Sequence, residues 1–215
     1  MYHTDLVQFR AARNRTLEMT EGLSQAQADF SPGSNIWSIG EILDHLLLSE
    51  QTNRNEIAQL VELSKSGRRP FISRTLTDVN FSPSFIPRSL LPFFELPFRT
   101  LNMFLPASVR EFMVRYRLIP ARNADITTPR KGMMITQLRS ELDSSIKETT
   151  ALFDRNPGLD YRAMILDHPL LGTNNVLQLL RILAAHERRH QDQIGDILRR
   201  AERPHESLAY PLSHR

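Results

Sequence analysis

Apolar residues recur at three- and four-residue intervals over four long stretches of this chain, which is the period of amphipathic helices and not of strands. Leu6, Phe9, Ala12 and Leu17 give residues 5–20 a modest apolar face. Ile39, Ile42, Leu43, Leu46, Ile57, Leu60 and Val61 do the same for residues 39–64, behind a Ser38-x-x-Glu41 capping box and ahead of Gly67 as a stop. A third helix fits residues 132–154, with Met134, Leu138, Leu142, Ile146 and Phe153 turned inward and Asn156-Pro157-Gly158 to end it. A fourth begins near Thr173 or Asn174 and runs to about Ala201. The stretch GLSQAQADFSPGSN between the first two reads as turns. Four such helices predict an all-α fold, a four-helix bundle, with no internal repeat.

Residues 66–131 break the pattern. Eight of the 13 prolines fall there (Pro70, Pro83, Pro87, Pro92, Pro97, Pro106, Pro120 and Pro129), among many Phe and Leu. Proline at that density forbids a long helix and discourages central strands, although a short helix fits about 106–118. The segment is expected to be a long Pro-rich crossover between helices 2 and 3 that packs on the bundle as a surface elaboration. A lid or an apolar dimer contact is its functional alternative. One domain is expected over residues 1–201, followed by a C-terminal tail at 202–215.

Composition narrows the function. A chain of 215 residues, 40% hydrophobic and 24% charged, can bury one proper core. The net charge of +3 is small, and Lys and Arg are scattered without interleaved aromatics, so no nucleic-acid partner is expected. The N-terminus lacks a signal-peptide core, and the apolar region 81–106 is broken by prolines and charges. A cytoplasmic protein with no membrane partner is therefore expected. Cysteine is absent, which excludes disulfides, thiolate metal sites and a cysteine nucleophile. Any transition metal must be held by imidazole and carboxylate.

The chemistry-bearing residues are histidines. His186 and His190 lie four apart on the fourth helix, in A-A-H-E-R-R-H-Q-D-Q-I, which stacks two imidazoles one turn apart on one face. Leu179, Leu183, Ile194 and Ile197 surround them on the helical wheel, so the pair sits inside the apolar stripe, whereas Arg188 and Arg189 fall off it. A single histidine so placed reads as a hydrogen-bonded core residue. A pair favours a metal ion, which partners two costly buried polar groups at once. His45 lies at the edge of the second helix's stripe, beside Ile42 and Leu46. Facing helices of a bundle can bring it to the pair as a third nitrogen ligand. Glu41 and Gln193 are candidate hydrogen-bond partners behind the ligands, although a helix cap is the simpler role for Glu41. Trp37 reads as a core anchor, His168 as a loop-packing residue, and His3, His205 and His214 as solvated.

His186-Glu187-x-x-His190 also matches H-E-x-x-H, in which Glu187 is the candidate catalytic residue, a general base toward water activated by zinc. The longer metzincin pattern fails, because Gln193 and Asp196 stand where Gly and His are needed. Glu187 at the flank of the stripe reads better as a salt-bridge residue.

Two further segments carry a family resemblance. Residues 35–50, N-I-W-S-I-G-E-I-L-D-H-L-L-L-S-E, and residues 168–194, ending in A-A-H-E-R-R-H-Q-D-Q-I, resemble the second-helix and last-helix signatures of the DinB/YfiT-like family. The earlier L-S-Q-A-Q-A-D-F-S-P-G is similar to that family's approach to the tryptophan. Together they cover about a quarter of the chain in the expected order. The resemblance implies an up-down-down-up bundle with a divalent metal, zinc or nickel, at one end of its core, held by His45, His186 and His190. It also implies frequent homodimers and, in some relatives, transfer or isomerisation with a low-molecular-weight thiol, in others hydrolysis. The long insertion at 66–131 departs from the compact family pattern. The expected function is a metal-dependent small-molecule enzyme of the thiol-dependent transferase or hydrolase type, with a non-catalytic metal-stabilised dimerisation module and an H-E-x-x-H protease as alternatives.

Overall fold

The computed structural model describes residues 4–34, 36–75, 106–116, 127–169 and 171–202. These form helices α1 (Thr4–Met19), α2 (Gln25–Asp29), α3 (Ile39–Lys65), α4 (Ala107–Arg115), α5 (Ile135–Asp154) and α6 (Val176–Glu202), with strands β1 (Phe71–Ser73), β2 (Ile165–His168) and β3 (Gly172–Asn175). The fold is mostly helical, and α1, α3, α5 and α6 make the bundle.

Local chemistry explains where the helices begin and end. Ser38 Oγ accepts the Glu41 N–H at 3.2 Å and Glu41 Oε2 accepts the Ser38 N–H at 2.9 Å, so α3 starts on the reciprocal cap that its sequence encodes. It stops at Gly67, whose φ of 69° lets Arg68 N–H reach Leu63 O and Gly67 N–H reach Ser64 O, both at 3.0 Å. The same cap with glutamine, Ser24 and Gln27, nucleates α2 inside the stretch that reads as turns. α6 starts two or three residues later than expected. Residues 172–175 pair with β2, and Asn175 and Gln178 then exchange side-chain-to-backbone bonds of 2.9 Å each way.

Two apolar clusters fix the helix directions. One gathers Leu6 and Phe9 of α1, Ile57 and Leu60 of α3, Ile146 and Phe153 of α5, and Val176 and Leu180 of α6. The other gathers Ile39, Ile42 and Leu46 of α3, Ile135 and Leu138 of α5, and Ile194 and Ile197 of α6, with Leu17 and Met19 of α1 against it. α1 and α6 therefore run from the first cluster to the second, and α3 and α5 run back, which is the up-down-down-up order. Because α3 and α5 point the same way, the chain between them must return the length of the bundle, roughly 40 Å for a helix of 27 residues. This requirement explains why a crossover is needed, although about 12 extended residues would span that distance and the 66–131 segment is far longer. Within that crossover, α4 is shorter than the expected 106–118, and residues 76–105 and 117–126 lie outside the described residues.

The small sheet is an addition to the predicted all-helical pattern. β2 pairs with β1 in parallel (Phe71 opposite Ile165) and with β3 antiparallel (His168 opposite Gly172), and Ile72 and Leu166 enter the first cluster. Strands of three and four residues are too short to register as an alternating pattern.

A polar layer separates the two clusters. Arg13 is wholly buried; its Nη1 donates to Glu50 Oε2 at 2.7 Å, and its Nε and Nη2 donate to Glu187 Oε1 at 2.7 and 2.5 Å. Thr16 Oγ1 donates to Glu187 Oε2 at 2.5 Å and Thr149 Oγ1 to Glu50 Oε1 at 2.7 Å. The inward face of α1 therefore differs from its apolar pattern, since Arg13 and Thr16 are buried and Leu17 only half so. Met134 is also corrected. It is 55% exposed, just ahead of α5, and Ile135 takes the inward position. No described helix is long and apolar enough to cross a membrane.

These burials differ enough to measure. Leu142→Ala should cost about 2–5 kcal/mol of stability, and Met134→Ala should stay within about 0.5 kcal/mol of the parent. Equilibrium urea unfolding compares the two directly.

Candidate metal centre

His45 sits two turns into α3, and His186 and His190 lie near the middle of α6. The bundle brings the three rings together from opposite ends of the sequence. His45 Nε2 lies 3.2 Å from His186 Nε2, and His190 Nε2 lies 3.0 Å from the same atom. All three offer a ligand atom within 4.8 Å of one another. His45 and His190 are buried and His186 is half-buried.

The donor set fits a metal ion. His45 Nδ1 lies 2.7 Å from the carbonyl oxygen of Thr127, to which it can only donate, and this leaves the Nε2 lone pair of the neutral ring facing the other histidines. His186 Nε2 has two such nitrogens near 3 Å, and as an N–H it has one proton for both. A cation among the three satisfies all of them. Zinc held tetrahedrally at roughly 2.0–2.1 Å sets its nitrogen ligands about 3.3 Å apart, close to the separations found here.

The rings are also held in the form that binds metal. Burial lowers the His45 pKa to about 4, with Arg189 acting in the same direction and the Thr127 carbonyl and Asp44 opposing it. Burial likewise drives His186 and His190 well below the usual histidine value, assisted by the neighbouring rings and Arg189. Near pH 7 all three are neutral imidazoles, the ligating form.

The surroundings assign the remaining candidates. Glu41 is engaged in the α3 cap through Ser38. Both oxygens of Glu187 are taken up on the α1 side, by Arg13 and Thr16, in the salt bridge expected of it. Gln193 Oε1 and His190 Nδ1 are both buried, and Gln193 only weakly opposes the burial that keeps that ring neutral. His168 lies in β2, where its Nδ1 accepts the Leu171 N–H at 3.2 Å, a local packing role. His3, His205 and His214 lie outside the described residues.

Two features escape the sequence reading. Trp37, expected only as a core anchor, lies against the second cluster and also beside the site. Its ring centroid is 4.9 Å from that of His45, and it stacks within 18° of the His190 plane at 6.3 Å. The other is Asp44, wholly buried, whose Oδ1 accepts Arg130 Nη2 at 2.6 Å and whose Oδ2 accepts the Arg130 backbone N–H at 2.7 Å. Asp44 thereby anchors residues 127–130, the segment that delivers the Thr127 carbonyl to His45. The end of the Pro-rich crossover is thus part of the site, contrary to its reading as a surface elaboration. An Asp beside a candidate ligand was the available signal, but its partner is 86 residues away.

The family model described as the DinB superfamily matches residues 8–194, a span that contains the three histidines, Trp37, Asp44 and Thr127. No curated protein and no solved structure matches the chain. With the matched region covering most of its length, the chain belongs to the DinB superfamily.

Proposed function

We propose that this protein binds one divalent metal ion through His45, His186 and His190 and uses it on a small-molecule substrate, as a thiol-dependent transferase or a hydrolase. The observation that carries the reading is the convergence of three Nε2 atoms, with separations of 3.0 and 3.2 Å to the shared His186, in an interior that leaves each ring neutral. Zinc and nickel suit an all-imidazole donor set. Three protein ligands are the number that catalytic zinc sites use, since they leave a position for substrate. When bound there, the ion supplies Lewis acidity.

The chain's own residues have distinct parts in this proposal. Thr127 fixes the ring orientation of His45. Trp37 supplies an apolar wall. Arg189, half-buried, acts with burial to keep all three rings neutral. With no cysteine in the chain, a thiol must come from a cosubstrate. A homodimer and a cytoplasmic location belong to the same proposal; exposed Val109, Phe112 and Tyr116 on and just after α4 have the apolar character of a dimer contact.

The second reading is a non-catalytic staple, in which the ion joins α3 to α6 and contributes folding energy. Burial of His45 and His190 between those helices favours it. The protease reading is disfavoured because the Glu187 carboxylate is held by Arg13 and Thr16.

Metal analysis of the purified full-length protein is expected to find about one equivalent of zinc or nickel. Substitution of a residue behind a ligand typically weakens affinity about 10–100-fold, so His45→Ala, His186→Ala and His190→Ala should each exceed that loss in a chelator competition. Unchanged metal content in all three variants contradicts the proposal. Chelation that leaves the fold cooperative favours the enzyme, whereas chelation that unfolds it favours the staple.

The metal-free protein should lose stability on acidification. His45 titrates near 4 when folded and near 6.5 when unfolded, so the unfolded chain binds more protons between those values. Its contribution is fully present above about pH 6.5 and declines toward pH 4, by up to about 3 kcal/mol for that one group. Urea unfolding of metal-free protein at pH 7 and pH 5, with His45→Gln as the flatter control, measures this slope.

A further inference from the structure

The ligands on α6 are a pair at positions i and i+4, and the residues directly after them, Glu187 and Gln191, are a second such pair. One residue further along a helix is about 100° further around it. His186 and His190 therefore face α3, while Glu187 and Gln191 face another neighbour, α1. The side-chain hydrogen bonds of both residues go to α1. Glu187 takes two bonds from Arg13 and one from Thr16, and Gln191 Nε2 donates to Ala12 O at 2.7 Å and to Thr16 Oγ1 at 3.1 Å. The same guanidinium reaches Glu50 on α3 and the Leu142 carbonyl on α5.

We infer that Arg13 and Thr16 are positioning residues for the metal centre, setting the rotation of α6 about its own axis and its distance from α3, so that the His186–His190 pair meets His45. Apolar packing alone does not fix such a rotation, because leucine and isoleucine faces tolerate small turns of a helix. Directional bonds to two successive positions on one face do fix it. The fork of Arg13 matters as much as its charge. Its Nε and Nη2 edge grips Glu187 while Nη1 holds Glu50, so one rigid planar group spans the two helices that carry the three histidines. The inference rests on the metal-binding reading above.

The test uses full-length Arg13→Lys and Thr16→Val, with Leu60→Ala as a control that removes apolar packing from the first cluster and leaves the polar layer intact. Zinc affinity is read by chelator competition, the visible spectrum of the cobalt(II)-loaded protein reports ligand geometry, and thermal unfolding of the metal-free protein reports stability. Both polar-layer variants should bind zinc at least about tenfold more weakly and show a weakened, shifted cobalt spectrum. Leu60→Ala, though destabilised at least as much, should keep the parent affinity and spectrum. If Arg13→Lys does not fold, Thr16→Val decides, since it removes a single hydroxyl. Parent-like affinity and spectra in the polar-layer variants overturn the inference, as does an equal change in Leu60→Ala. A parent protein that binds none of zinc, nickel and cobalt overturns the metal-binding reading, and this inference with it.

Discussion

A band of polar side chains crosses the buried interior of this bundle. Groups so placed cost free energy unless they are paired, so each must find its partner among the four helices. Arg13, Glu50, Glu187, Thr16 and Thr149 meet that demand among themselves. The three imidazoles do so incompletely, because their converging nitrogens share too few protons. The two halves of the band are chemically different in consequence: one is closed, and the other can hold a cation.

The closed half bears on specificity more than on stability. Exchanging a buried ion network for apolar residues of similar volume is often neutral or stabilising, whereas removing one member alone strands a charge. Arg13 between two carboxylates is thus poor evidence for a tighter fold. It bears more on how the helices are oriented, since its forked bonds are directional and the apolar contacts on either side are not.

What the sequence disclosed follows from where the signals are local. The α3 cap, the long helices and the i, i+4 spacing of the two histidines are written within a turn or two, and the cap and the helices stand where that pattern puts them. The up-down-down-up order came from resemblance, and the two apolar clusters express it. What was missed is non-local. Arg13 looks like a solvated charge on a weakly amphipathic helix until its two acidic partners, on α3 and α6, are placed. Trp37 reads as packing because its second neighbour, His190, is distant in sequence. Asp44 is unremarkable without Arg130. β1 to β3 are too short for any period to show, and Met134 fits the helical wheel but falls one residue outside the helix.

The parallel course of α3 and α5 obliges the chain to come back along the bundle, and the last few residues of that return, 127–130, close on His45. A long connection can exchange most of its residues without disturbing the helices it joins, provided its far end still docks. Chemistry near the histidines is therefore open to revision from the loop side, one lining residue at a time, while the ligands stay where the four helices put them. A scaffold arranged in this way separates the part that must be kept from the part that is free to be retuned.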